Sequence, residues 1–226
     1  MSADGSISTW HPVARSAELR PGANIVAGFA EGRELALWRS ADGTAQAWEN
    51  RCPHRSVRFT LGQVVKNRLV CAYHGWQYAA GSGQCAHIPA HPDMQPPSSV
   101  CAKVFSAVEA AGMVWVRLAD EPPAAPPPDD AVPMDWSFCQ TLTVRADATG
   151  VRDALAARGF MADASSHALR GVLDRIDTVA LVLDARSGLA FIHLWADAAA
   201  GGEAMKSLHV AARILRGEIE TRQPAV

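Results

Sequence analysis

The sequence has no long apolar run, no excess of either charge and no signature loop for nucleotides or acyl transfer. No stretch approaches the roughly 18 consecutive apolar residues of a membrane span, although 49% of the chain is hydrophobic. The formal net charge is −2 over 226 residues, which argues against a nucleic-acid or polyanion binder. G-x-G-x-x-G, the phosphate loop and the G-x-S-x-G pentad are all missing. Nothing therefore points to a dinucleotide domain or a serine hydrolase. The stretch Met1 to Trp10 lacks a basic segment followed by an apolar one, so no secretory signal is expected. The five cysteines (52, 71, 85, 101 and 139) are odd in number. Without a signal they speak against a disulfide scaffold and for a cytoplasmic protein.

What is present falls into two halves. Residues 1–119 carry 11 Lys/Arg against 8 Asp/Glu, and residues 120–226 carry 10 against 15. Between them, Glu121 to Pro133 holds six prolines in 13 residues. Proline lacks the amide donor and fixes φ, so residues 120–133 read as an extended linker. Before it, the pattern is β. Ala36–Arg39 and Ala45–Trp48 flank an Asp42-Gly43 turn, and Gln63–Val65 and Arg68–Val70 flank Lys66-Asn67. Trp76–Tyr78 and Met113–Leu118 read as further strands. Residues 1–119 are therefore expected to form a small all-β antiparallel sandwich or barrel.

Residues 134–226 read as a small α+β module. Cys139–Arg145 alternates like a strand. Val151, Leu155 and Phe160 lie near helical spacing. Thr178–Leu183 and Leu189–Trp195 flank Ala185 to Gly188 and read as a hairpin. Met205 to Ile219 fits either a helix or a strand.

The chemistry concentrates in Cys52-Pro-His54 and Cys71-Ala-Tyr-His74, sixteen residues apart. Each pair supplies one sulfur and one imidazole from a loop tip. Such a set suits zinc or an iron–sulfur cluster. Zinc fingers usually pair cysteine with cysteine and histidine with histidine along the chain. Here each loop gives one of each, so two irons can be ligated asymmetrically, one by both thiolates and one by both imidazoles. Two ferric ions, two sulfides and two thiolates sum to zero. Reduction of a neutral cluster is easier than that of a dianionic one, and potentials rise to roughly −150 to +300 mV.

Cys-Pro-His-Arg…Cys-x-Tyr-His-Gly-Trp resembles the Rieske domain of the ring-hydroxylating and O-demethylating oxygenases, the vanillate demethylase type especially. The likeness extends from Trp10-His-Pro-Val-Ala14 through Leu37-Trp-Arg39 and Ile88-Pro-Ala90 to Val114-Trp-Val116. It implies a [2Fe–2S] cluster on Cys52, His54, Cys71 and His74, within a cluster-binding subdomain. The extra cysteine pair of cytochrome bc-type Rieske proteins would fall at Val57 and Tyr73, so no loop disulfide is expected. Gly75 is read as permitting a close turn that aims amides at sulfide, Pro53 as stiffening, and Tyr73 and Trp76 as excluding water. Arg51, Arg55 and Arg58 are read as favouring the reduced state or as solvated surface. His87 and His91 are read as surface residues rather than spare ligands or redox neighbours, and Cys85, Cys101 and Cys139 as core or inert rather than ligands.

In the resembled oxygenases a larger catalytic domain follows, with a mononuclear iron on two histidines and a carboxylate. Its Asp-x₂-His-x₄-His motif is absent here. His167, His193 and His209 are the only histidines after the linker, with Asp163 the nearest acid. No mononuclear iron is expected in this chain, and residues 134–226 are expected to be a shortened counterpart of that domain. No catalytic residue is assigned. The resemblance implies an electron-transfer component, fed by a reductase or ferredoxin and serving an iron-bearing oxygenase subunit. A self-contained small oxygenase and a zinc-stabilised binding module stand as alternatives. Homo-oligomers are expected by analogy; nucleic-acid and membrane partners are not.

Overall fold

The Asp-Gly turn is held by its own side chains. In the computed structural model, which describes residues 10–119, 129–163, 168–197, 199 and 201–222, Asp42 Oδ1 accepts from Ser40 Oγ (2.6 Å) and Thr44 N–H (3.0 Å). Gly43 takes φ +90°, the left-handed conformation glycine adopts without a Cβ clash. That turn joins β3 (Arg33–Arg39) to β4 (Ala45–Glu49) as the sequence pattern predicts. With β1 (His11–Arg15), β2 (Ile25–Ala30), β9 (Val104–Ala110) and β10 (Met113–Arg117) they form a six-stranded sheet. Its order is β1-β10-β9-β4-β3-β2. All five residues of β10 are buried.

A second sheet contains β5 (Gln63–Val65), β6 (Arg68–Val70), β7 (Gln77–Ala79) and β8 (Cys85–His87), all antiparallel and in chain order. Strand alternation sorts its residues. Val64, Leu69, Tyr78 and Cys85 fall on one face and join a core with Trp38, Trp48 and Phe59. Gln63, Val65, Arg68 and Gln77 fall on the other.

The chain divides into two compact units. Among the described residues, 10–29 with 33–119 form the first, and 30–32 with 129–222 form the second. Residues 120–128 of the proline-rich stretch lie outside the described residues. The second unit is built on a five-stranded antiparallel sheet of β11 (Trp136–Val144), β12 (Met161–Ala162), β13 (Ala168–Leu173), β14 (Ile176–Arg186) and β15 (Leu189–Asp197). Its order is β11-β15-β14-β13-β12. The strands of the predicted 178–195 hairpin run further than expected, leaving only Ser187-Gly188 between them.

Helix α1 (Ala148–Ala157) buries Ala148, Val151, Ala154 and Leu155. The expected helical residue Phe160 lies beyond its end. Gly159 (φ +86°) donates to Ala156 C=O (2.9 Å) and Phe160 N–H donates to Leu155 C=O (3.1 Å). This pair of bonds closes the helix and turns Phe160 into the core. The undecided stretch 205–219 is helical, inside α2 (Gly201–Arg222), which buries Leu208, Ala212, Leu215 and Ile219. Both units thus have the antiparallel β and α+β character expected. Among the described residues, no helix is long and apolar enough to cross a membrane.

Candidate metal centre

Two loops carry the four residues, and they have the same backbone frame. In the first, Cys52 N–H donates to Val57 C=O (2.9 Å) and Ser56 N–H to Cys52 C=O (2.7 Å). In the second, Cys71 N–H donates to Trp76 C=O (2.9 Å) and Gly75 N–H to Cys71 C=O (3.0 Å). The fifth residue of each takes a left-handed conformation, Ser56 at φ +55° and Gly75 at φ +68°. The β5–β6 hairpin lies between the loops, and β6 and β7 hold the second loop at its base. Histidine is the third residue of one frame and the fourth of the other.

The frame separates sulfur from imidazole. Cys52 and Cys71 are buried, at 2% and 3% exposure. His74 is exposed and His54 half-buried. The two imidazoles meet with Nδ1 atoms 3.1 Å apart, so their Nε2 atoms lie on the far sides of the rings. Each ring is covered by an aromatic. Trp76 stacks on His54 at 4.0 Å and 4° between planes, and Tyr73 on His74 at 3.8 Å and 29°. These aromatics were expected to exclude water. Their observed contact is with the imidazole faces, and Tyr73 itself is 56% exposed.

The thiols have their own environment. Burial pushes Cys71 up; the amides of Tyr73 and His74 oppose that, and neighbouring Cys52 adds to it. The amides near Gly75 are thus aimed at the cysteine sulfur. Tyr78 places its hydroxyl 3.1 Å from Cys52 Sγ, and burial, then Cys52, drives that phenol upward. Cys85, buried across the β7–β8 register from Tyr78, is also pushed up by burial. His54 is lowered by burial, then by His74 and Arg55. Arg58 is occupied by Glu34, at 2.8 Å, while Arg51 and Arg55 are exposed.

The donor set fits a two-iron cluster. Among the described residues, no three His, Cys, Asp or Glu side chains converge as a single metal ion would require. A structural zinc takes four donors around one point. Here the donors form a buried sulfur pair and an open nitrogen pair, the division that a cluster with unlike ends requires. Sequence reasoning missed Tyr78, whose place in a strand looks like packing; its position four residues after His74 on a core-facing register was the available signal.

The other candidate ligands are dispersed. His87 is half-buried on β8 and His91 is exposed. His193 is buried on β15, a central strand, with Nδ1 2.9 Å from Thr141 Oγ1. His209 lies on α2, 2.6 Å from Met205 C=O and 3.7 Å from Cys139 Sγ; burial raises that thiol to about 11. Asp163 faces Arg170 at 3.7 Å. His167 lies outside the described residues.

Residues 9–105 match the family profile of the Rieske [2Fe-2S] domain. The match takes in less than half of the chain, and over those residues it implies a [2Fe–2S] cluster. The relatives the chain matches include an oxidoreductase and an oxygenase subunit. Oxidoreductase NdmD of Pseudomonas putida is 41% identical over 120 residues, covering 53% of this chain and 20% of that protein. The 3-chlorobenzoate-3,4-dioxygenase oxygenase subunit of Comamonas testosteroni is 35% identical over 110 residues, covering 48% and 25%. The matched part spans only a fifth to a quarter of these relatives. Among solved structures, NdmA of Pseudomonas putida CBB5 superposes with a TM-score of 0.70 at 22% identity, covering 96% of this chain and 82% of that one. Dicamba monooxygenase gives 0.68 at 17%, covering 97% and 91%. These likenesses concern the fold, and they take in both units.

Proposed function

We propose that Cys52 and Cys71 ligate one iron of a [2Fe–2S] cluster and His54 and His74 the other. On this reading the chain is an electron-transfer component of an aromatic ring-hydroxylating or demethylating oxygenase system. The observation that carries it is the pairing: buried sulfurs at one end, and imidazoles with facing Nδ1 atoms at the open end. When bound, the cluster supplies a site that accepts and releases one electron at a time.

The chain's own residues prepare that site. The Tyr73 and His74 amides and the Tyr78 hydroxyl present donors to the two cysteine sulfurs, which favours added negative charge there. Exposed His74 provides the short route for electrons between the buried pair and a docked protein. Its Nε2, directed away from His54, can hold a proton as the charge of the site changes. A reductase or ferredoxin is the proposed donor, and a non-haem iron site the acceptor.

The test is metal analysis and electron paramagnetic resonance of the purified full chain. Two irons per chain and a Rieske signal on reduction are expected. Cys52→Ser and His74→Ala should each abolish the visible bands, because sites assembled from loops lose their order with the metal. Zinc in place of iron would overturn the reading.

A second reading has an observation in its favour. The fold likeness to solved oxygenases extends through the second unit, so the chain itself is a candidate oxygenase with an atypical iron site. A third iron per chain, lost on His193→Ala or His167→Ala, would favour it.

A further inference from the structure

Between the β3–β4 turn and the outer face of β5, β6 and β7 lies a cleft of about 740 Å³, within the size range of small-molecule sites. All its lining residues belong to the first unit, and none of the four cluster residues is among them.

Three side-chain amides line it, and each has its oxygen occupied. Gln46 Oε1 accepts from Gly81 N–H (2.8 Å), Asn67 Oδ1 from Ala41 N–H (2.7 Å) and Gln77 Oε1 from the Arg68 guanidinium (3.1 Å). A backbone N–H or a guanidinium can only donate, so the orientation of each amide is dictated. Each is left with its NH₂ group, and among the described residues none of the three NH₂ groups has an acceptor. Lys66, exposed at the β5–β6 turn, forms no ion pair among the described residues, and Arg68 uses only Nη1. The one carboxylate in the lining, Asp42, has Oδ1 committed to Ser40 and Thr44. Val65 and Ala86 add apolar wall.

The cleft is therefore supplied with donors and positive charge and is short of acceptors. We propose that it binds a small organic oxyanion, a molecule bearing two or more carboxylate or phosphate oxygens. Lys66 and Arg68 neutralise it, and the three amides orient it. This does not rest on the redox role, since the cleft residues differ from the cluster residues.

The test is calorimetric titration of the cluster-loaded full chain at low salt, with inorganic pyrophosphate in one arm and succinate in the other. Saturable one-to-one binding of at least one probe is expected, and the arm that binds identifies the oxyanion type. The double variant Lys66→Gln/Arg68→Gln should weaken it at least about tenfold, since two charge-assisted contacts are lost. Both side chains are exposed, and an unchanged visible spectrum verifies the fold. Asp42→Asn, which removes the only negative charge, should bind no more weakly than the parent. No saturable binding in either arm, or equal affinity in the double variant, would overturn the proposal.

Discussion

Tyr78 illustrates how much one side chain contributes to a site without holding the metal. Its hydroxyl reaches Cys52 Sγ at 3.1 Å, and its ring meets Phe59 edge-on in the same core. If Cys52 ligates iron as proposed, a donor to its sulfur favours the more negative redox state. Tyr78→Phe is therefore expected to keep the visible spectrum and to lower the midpoint potential in a redox titration. The fall should be roughly 40–60 mV, corresponding to about 1 kcal/mol of difference between oxidation states for one electron. An unchanged potential would remove the hydrogen bond from the account. At this scale the four candidate ligands stand out in the sequence because few other side chains bind iron, and their order along the chain carries the proposed asymmetry. Tyr78 was not legible, because an aromatic in a strand is usually packing. Trp76 and Arg58 were read only in part. Their partners, His54 and Glu34, are set by tertiary placement that spacing does not encode.

At the scale of elements, the two turns that carry the candidate ligands share one backbone frame but differ at its left-handed position. Gly75 occupies φ +68° freely, whereas Ser56 at φ +55° has a Cβ to accommodate. A Cβ at Gly75 would also approach Pro89 Cγ to 3.2 Å. Ser56→Gly is expected to be neutral or to stabilise by up to about 1 kcal/mol, and Gly75→Ala to destabilise by about 1–2 kcal/mol. Chemical denaturation of the cluster-loaded protein measures both, and the same sign for the two would contradict the shared frame. The hairpins were legible from their turns, Asp42-Gly43 above all. Helix α2 was not, because Val210 and Ile214 are exposed at 56% and 55%. Those two apolar residues blur the period set by Leu208, Ala212, Leu215 and Ile219. Phe160 was misplaced onto α1 for a related reason: residues folded back by a helix-terminating turn continue the apolar spacing of the helix.

For the whole molecule, each unit has a core of its own. Trp38, Trp48, Phe59 and Tyr78 pack with Cys52 and Cys71 in the first, and the residues under α1 and α2 pack in the second. Removing the metal should therefore act locally. Hydrogen exchange after chelation under reducing conditions is expected to show lost protection over residues 52–87 and retained protection in β14, β15 and α2. Equal loss in both regions would mean that the cluster supports more than the core it touches. The first unit's Rieske resemblance was readable because its motif is concentrated in a few residues of rare type. The second unit's role was not, since the Asp-x₂-His-x₄-His of the resembled oxygenases is missing while a fold shared with dicamba monooxygenase persists at 17% identity. A fold can be maintained by apolar pattern alone, whereas a site needs particular atoms.

The chain has only two tyrosines, and both lie at the candidate centre. Tyr73 covers His74 at the surface, and Tyr78 sits against Cys52 in the interior. Fluorotyrosine incorporated throughout the protein would thus give a two-line fluorine spectrum. One line reads the open, imidazole end and the other the buried, sulfur end. The composition supplies a pair of reporters, one at each pole, without any engineering of the site.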